Sequence, residues 1–256
     1  MDRLATEQAD AGQQLAEQTP RRGVTDPLAG ERPVMSAFQP QVVPIFATPL
    51  GLATVPDAAD LNPAVAMLFA ERATPERADP ASRQPLMYRS RDDLRGWPDE
   101  PVRALTGSIV GAVLSVLRSL NELTDEQFAA LELQARAWFT IVRPDGNVPS
   151  GSYPNAAWCA IYCVAAPQPS PARLDSGVLR LHESYRATMF SDATNTLMHG
   201  PFQAGHRTWR PVPGQLAVFP AAINHEIAML RGEGELVLIS ALLRSRAPGQ
   251  TGMPWW

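Results

Sequence analysis

Two cysteines in 256 residues leave no material for a disulfide framework. Cys159 and Cys163 stand four apart in a segment that reads as a strand, on one face but too far apart along an extended chain for an easy bridge. They are expected to be reduced, buried thiols of a cytoplasmic protein. A broad cationic footprint is missing as well. The net charge is −4 and the arginines are scattered, so nucleic acid is not an expected partner. Long apolar runs are also lacking. Ile109 to Leu117 is interrupted by Gly111 and Ser115 and is too short to span a bilayer, so no membrane association is expected. The N-terminus shows no basic start followed by an apolar segment, which reads against secretion.

Proline, by contrast, is abundant: 25 residues, roughly twice the usual share. Proline interrupts helices and confines strands, which favours short strands and loops over a helical bundle. Hydrophobic residues at 45% and charged residues at 19% describe an ordinary globular chain, long enough to bury a sizeable core.

Residues 1–36 are polar, without sustained periodicity, and are expected to form a flexible N-terminal tail. Residues 37–256 read as one domain, with helical support over 57–135 and a strand core over 136–246. Val42 to Leu50 carries prolines suited to an edge strand. Asn62 as N-cap and Pro63 in the first turn predict a helix ending before Pro75. A second helix over 100–120 has the stripe Leu105, Ile109, Val113, Leu117 and Leu120. Thr124 with Gln127 fits a capping box for a short helix to about Leu133.

Beyond Ala135 the period changes from helix to strand. Ala137 to Val142, Trp158 to Val164, Gly177 to His182, Leu216 to Phe219 and Leu236 to Leu243 read as strands, separated by Gly/Pro turns. A long connection fills 183–205. The fold class expected is mainly β with flanking helices, in a sandwich or barrel.

Several short motifs occur in a familiar order. Ile45-Phe46-Ala47-Thr48-Pro49 opens it, followed by Tyr88-Arg89-Ser90-Arg91-Asp92-Asp93-Leu94, Ala137-Trp138 and Arg143-Pro144-Asp145-Gly146. Trp158 to Val164, Pro211 to Pro220 and Asn224-His225-Glu226 complete it. Over residues 42–245 the chain resembles the 2-oxoglutarate/iron(II)-dependent oxygenases, a bacterial double-stranded β-helix group. The resemblance implies a jelly-roll, cupin-like core that binds Fe(II) and 2-oxoglutarate and oxidises an organic substrate.

It also implies a facial triad of two histidines and a carboxylate, which leaves iron positions open for the 2-oxo acid and oxygen. Carried over, His225 is the distal histidine ligand. The proximal pair falls just before Pro154-Asn155, where this chain has Gly151 and Tyr153; Asp145 stands too early in the motif to replace them. Leu236 occupies the place of the basic residue that binds the 2-oxoglutarate carboxylate, a task suited to the arginine fork. Arg231, Arg244 and Arg246 are the nearby alternatives. Tyr153 and Arg244 are therefore the candidate cofactor-binding residues.

A different metal site is also open. His182, His206 and His225 lie in one domain and would suit iron or zinc if the strands converge, with Glu183 and Glu226 as further candidates and His199 nearby. Two readings follow. One is a divergent oxygenase, or an oxidase with a histidine-rich site, acting on a small molecule or peptide. The other is a catalytically inactive ligand-binding or protein-interaction module, in which Trp138, Tyr153, Trp158, Tyr162 and Trp209 line a cavity or pack in the core. The Trp255-Trp256 pair suggests docking onto the body or a second subunit, so a homodimer is an additional expectation.

Overall fold

The computed structural model describes residues 47–82, 84–91, 93–169, 171–182 and 205–248, all within a unit spanning residues 44 to 256. The expected N-terminal tail, Glu183, His199 and Trp255-Trp256 lie outside the described residues.

Of the edge strand expected over Val42 to Leu50, residues 42–46 lie outside the described residues and residues 47–50 are not in a strand; strand β1 (Gly51–Thr54) follows directly. Among the described residues it lies at an edge of its sheet, paired with β8 (Gln215–Pro220). Helix α1 (Ala58–Arg72) begins about one turn before Asn62, behind Asp57, which adopts a left-handed φ of 58°. Asn62 is no N-cap. It is buried inside the helix and accepts a hydrogen bond from the Tyr162 hydroxyl at 2.7 Å.

Helix α2 (Glu100–Leu120) has the expected stripe, with Val102, Leu105, Ile109, Val113 and Leu117 buried; Leu120 is exposed. By length and composition α2 is apolar enough to cross a membrane, contrary to the sequence expectation. Its buried stripe belongs to the protein core, as an amphipathic core helix requires. Thr124 and Gln127 form the full capping box of α3 (Asp125–Ala129), which is shorter than predicted because β3 (Glu132–Val142) already begins at Glu132.

The remaining strands are β2 (Met87–Arg89), β4 (Val148–Gly151), β5 (Trp158–Ala165), β6 (Leu179–His182), β7 (His206–Trp209), β9 (His225–Ile227) and β10 (Leu236–Arg246). They form two antiparallel sheets, a six-stranded one in the order β1-β8-β5-β10-β3-β2 and a four-stranded one in the order β4-β9-β6-β7. The expectation of a double-stranded β-helix or jelly roll is overturned by this topology. Among the described residues each sheet keeps two separate edges, β1 and β2 in one and β4 and β7 in the other, and neither closes into a barrel. The architecture is a two-sheet, β-rich fold flanked by helices. Period-two alternation reports that a strand has a buried face, but it carries no information on closure.

Alternation along the large sheet divides the core into two layers. Phe139, Tyr162, Val218 and Ile239 face α1 and α2, where Phe69 stacks on Phe139 at 4.1 Å. Trp138, Cys159, Phe219 and Leu238 face the small sheet and meet Leu179, Leu181, Trp209 and Ile227. Both cysteines are free and buried in this second layer. The Arg143-Pro144-Asp145-Gly146 turn is held by Asp145 at φ 63° and by Gly146, where a Cβ would run into the Leu86 and Arg143 carbonyl oxygens.

Candidate functional site

His225 opens β9 with its side chain buried between the sheets. Its Nδ1 lies 2.9 Å from the Ile223 carbonyl oxygen. A carbonyl only accepts, so Nδ1 carries the proton and Nε2 keeps its lone pair. That is also the posture of a metal-ligating histidine. Nε2 faces the Cys159 sulfur at 4.0 Å. The Phe219 ring stands edge-on at 4.9 Å and the Tyr153 ring lies at 5.6 Å. Burial lowers the His225 pKa, and the nearby His182 lowers it further, against the opposing pull of the Ile223 hydrogen bond. The imidazole is therefore held neutral. Burial also pushes the Cys159 thiol far up and Cys163 to about 12, so neither is a thiolate at neutral pH.

The ladder brings the expected ligand positions together. Gly151 on β4 is the direct register partner of His225 on β9. Tyr153, two residues on, packs between Trp138 at 5.6 Å and His225. Among the described residues, no atom lies within 4 Å of where a Cβ on Gly151 would stand. Both proximal positions stand beside His225, but their chemistry does not suit a triad. Glycine supplies no side-chain donor and tyrosine supplies a phenol in place of a carboxylate.

The cosubstrate position fails the same test. Leu236 is 1% exposed and packs in the inter-sheet core beside Leu230 and Leu238. Arg244 does not stand in for it. The two residues lie at opposite ends of β10, about 27 Å apart along an extended strand. By alternation Arg244 shares the inner face with Leu242, whose register partner is Cys159, so it lies toward the His225 end. The described residues at these positions do not fit iron with 2-oxoglutarate.

The three histidines are not brought to one point. Leu179 and Leu181 turn the inner face of β6 into the core, so Arg180 and His182 face outward. His206 is the register partner of His182, and their ring centroids are 6.1 Å apart. Glu226 faces outward too and binds Arg180 at 3.1 Å, with His182 Nε2 at 3.7 Å. His225, paired with the inward Leu181, is on the opposite face. Among the described residues, no group of three His, Cys, Asp or Glu side chains is arranged to hold a metal.

Sequence reasoning missed Cys159 and Phe219 as neighbours of His225, and Arg207 as a member of the inner row Gly151, His225, Leu181, Arg207 across the small sheet. Alternation assigns each residue to a face, but only the strand order shows which faces meet.

Residues 136–241 match a family model described as "Putative 2OG-Fe(II) oxygenase". The fold is similar to that of a prolyl-4-hydroxylase from Pseudomonas putida, at 18% identity over 77% of this chain and 93% of that one, with a TM-score of 0.51. AviO1 from Streptomyces viridochromogenes aligns at 15% identity over 81% of this chain and 94% of its own, with a TM-score of 0.49. No curated protein matches the chain. At these identities the structural likeness concerns the fold alone. The strand core, residues 136–241, matches this family model over less than half of the chain, and the fold is shared with a solved structure, while no clear metal-binding triad stands among the described residues.

Proposed function

We propose that this chain is a binding member of the oxygenase superfamily, one that has exchanged iron and 2-oxoglutarate chemistry for recognition of an organic ligand beside His225. The observation that carries this reading is the pairing of Gly151 with His225: the position for a proximal ligand is retained across the ladder, but it has no donor. Tyr153 and Phe219 give the surroundings of His225 an aromatic character. The neutral imidazole offers Nε2 as a hydrogen-bond acceptor in a partly desolvated place, where such a bond is stronger than in water. Open space before Gly151 gives a ligand an approach to this row. Leu236 makes the deeper end of the inter-sheet space apolar, which disfavours a dicarboxylate there because a buried charge needs a partner.

Anaerobic loading of the full chain with Fe(II), followed by metal analysis and 2-oxoglutarate-dependent oxygen consumption, tests the reading. The expected result is substoichiometric iron that is unchanged by His225→Ala, and no oxygen uptake coupled to 2-oxoglutarate. Stoichiometric iron that disappears in His225→Ala, with coupled oxygen uptake, would establish a divergent oxygenase instead.

A further inference from the structure

A second site lies at the other end of the small sheet. His225 pairs with Leu181 near the His182 end of β6. In the other direction the β6–β9 pairing continues past Ile227, with the Ala228 N–H donating to Val178 and the Gly177 N–H to Met229. There Ser176, Arg210, Arg231 and Leu236, together with Pro167 and Pro211, are among the residues that enclose a cavity of about 200 Å³. At about 30 Å³ per water this is room for on the order of seven waters, or one small metabolite.

Arg210 distinguishes this cavity. Its guanidinium donates to the Ser176 carbonyl at 3.1 Å and to the Leu174 carbonyl. Both acceptors are neutral, and among the described residues no carboxylate pairs with Arg210. Arg231, on the same wall, has its charge answered by Asp145 at 2.7 Å. A guanidinium has five N–H donors. The two contacts on Arg210 fix the plane of its fork and leave donors for a further acceptor. Its side chain is only partly exposed, and a partly desolvated cation without a counter-charge favours an anion at that place. The proline walls have no N–H to compete for that anion, and their fixed φ makes the cavity stiff before a ligand arrives.

We propose that this cavity binds a small organic monocarboxylate, with the carboxylate on Arg210 and the apolar body against the prolines and Leu236. A planar carboxylate matches the guanidinium fork. A single unpaired cation favours a monoanion over a phosphate dianion. The inference is independent of the ligand proposed beside His225: the cavity lies beyond Ile227 at the other end of β9, and His225, Tyr153 and Phe219 are not among its lining residues.

Sodium benzoate and its uncharged counterpart benzamide are suitable probes, titrated into the full chain by calorimetry or by protein-observed NMR. Benzoate is expected to bind at least tenfold more tightly than benzamide, and Arg210→Gln to weaken benzoate at least tenfold. Arg210 also ties down the Leu174 to Ser176 turn, so a second variant guards against misfolding. Val212 lines the cavity and is exposed, so Val212→Glu puts a like charge at the site without disturbing the core; it is expected to weaken benzoate as strongly. His225→Ala is expected to leave benzoate binding unchanged. Three results would each overturn the proposal: equal binding of benzamide, benzoate binding undiminished in folded Arg210→Gln or Val212→Glu, or no benzoate binding to the wild type at about 20 mM, which corresponds to a free energy near −2 kcal/mol.

Discussion

His225 spends its hydrogen-bonding capacity unevenly. Nδ1 is committed to the Ile223 carbonyl, while among the described residues Nε2 meets the weakly donating Cys159 thiol. Burial disfavours its protonated form, so its folded pKa lies below the ordinary value near 6.5 that it regains on unfolding. The unfolded chain therefore takes up the proton first. The stability from neutral His225 is fully present above about pH 6.5 and is lost as the pH falls from there toward the lowered folded pKa. Urea unfolding at pH 7.5, 6.5 and 5.5 is expected to show the wild type losing stability on the acid side, with a shallower slope in His225→Asn. Equal slopes in the two proteins would mean that His225 is not the group responsible. The same residue was legible in the sequence as the distal histidine because its motif is local. Its partners were not, because Cys159 and Gly151 reach it only through strand pairing.

The elements were readable where their signals are short-range. The Thr124–Gln127 capping box, the α2 stripe and the alternation of Trp158 to Val164 each lie within a few turns of chain, and each formed as expected except for Leu120 at the exposed end of the stripe. Asn62-Pro63 was misread for the complementary reason. Its local chemistry is that of a helix start, but its partner, the Tyr162 hydroxyl, is 100 residues away. This bond fastens α1 to β5 at a site where Tyr162 is completely buried, and burial pushes the phenol up to about 12. Asn62→Ala leaves the hydroxyl unsatisfied and is expected to cost about 1–3 kcal/mol. Asn62→Ala combined with Tyr162→Phe is expected to cost less than the sum of the two single changes, since the second removes the group stranded by the first. Urea denaturation of the four proteins closes this cycle; additive losses would show that the two side chains are not energetically coupled.

At the scale of the whole molecule, closure of the strand core was the feature that could not be read, because strands of the same pattern build open or closed sheets. The two open sheets nevertheless hold the proximal ligand positions beside His225, so their chemistry can be tested separately from their geometry. Gly151→His places a side chain into space free of described atoms, on a backbone without a left-handed φ. Tyr153→Asp supplies the carboxylate and removes a ring packed on Trp138. Loss of that packing is expected to cost at most about 3–5 kcal/mol, the range for large aromatic deletions from a full core. The double variant is expected to bind about one Fe(II) per chain under anaerobic conditions, through two histidines and one carboxylate. His225→Ala in that background is expected to abolish the binding. Coupled consumption of 2-oxoglutarate is still not expected, because Leu236 puts a buried apolar side chain where the resemblance calls for a basic one. Circular dichroism and metal analysis together decide the outcome. A folded double variant with no iron would show that the three positions do not converge closely enough to form a metal site, whereas iron retained after loss of His225 would place the metal elsewhere.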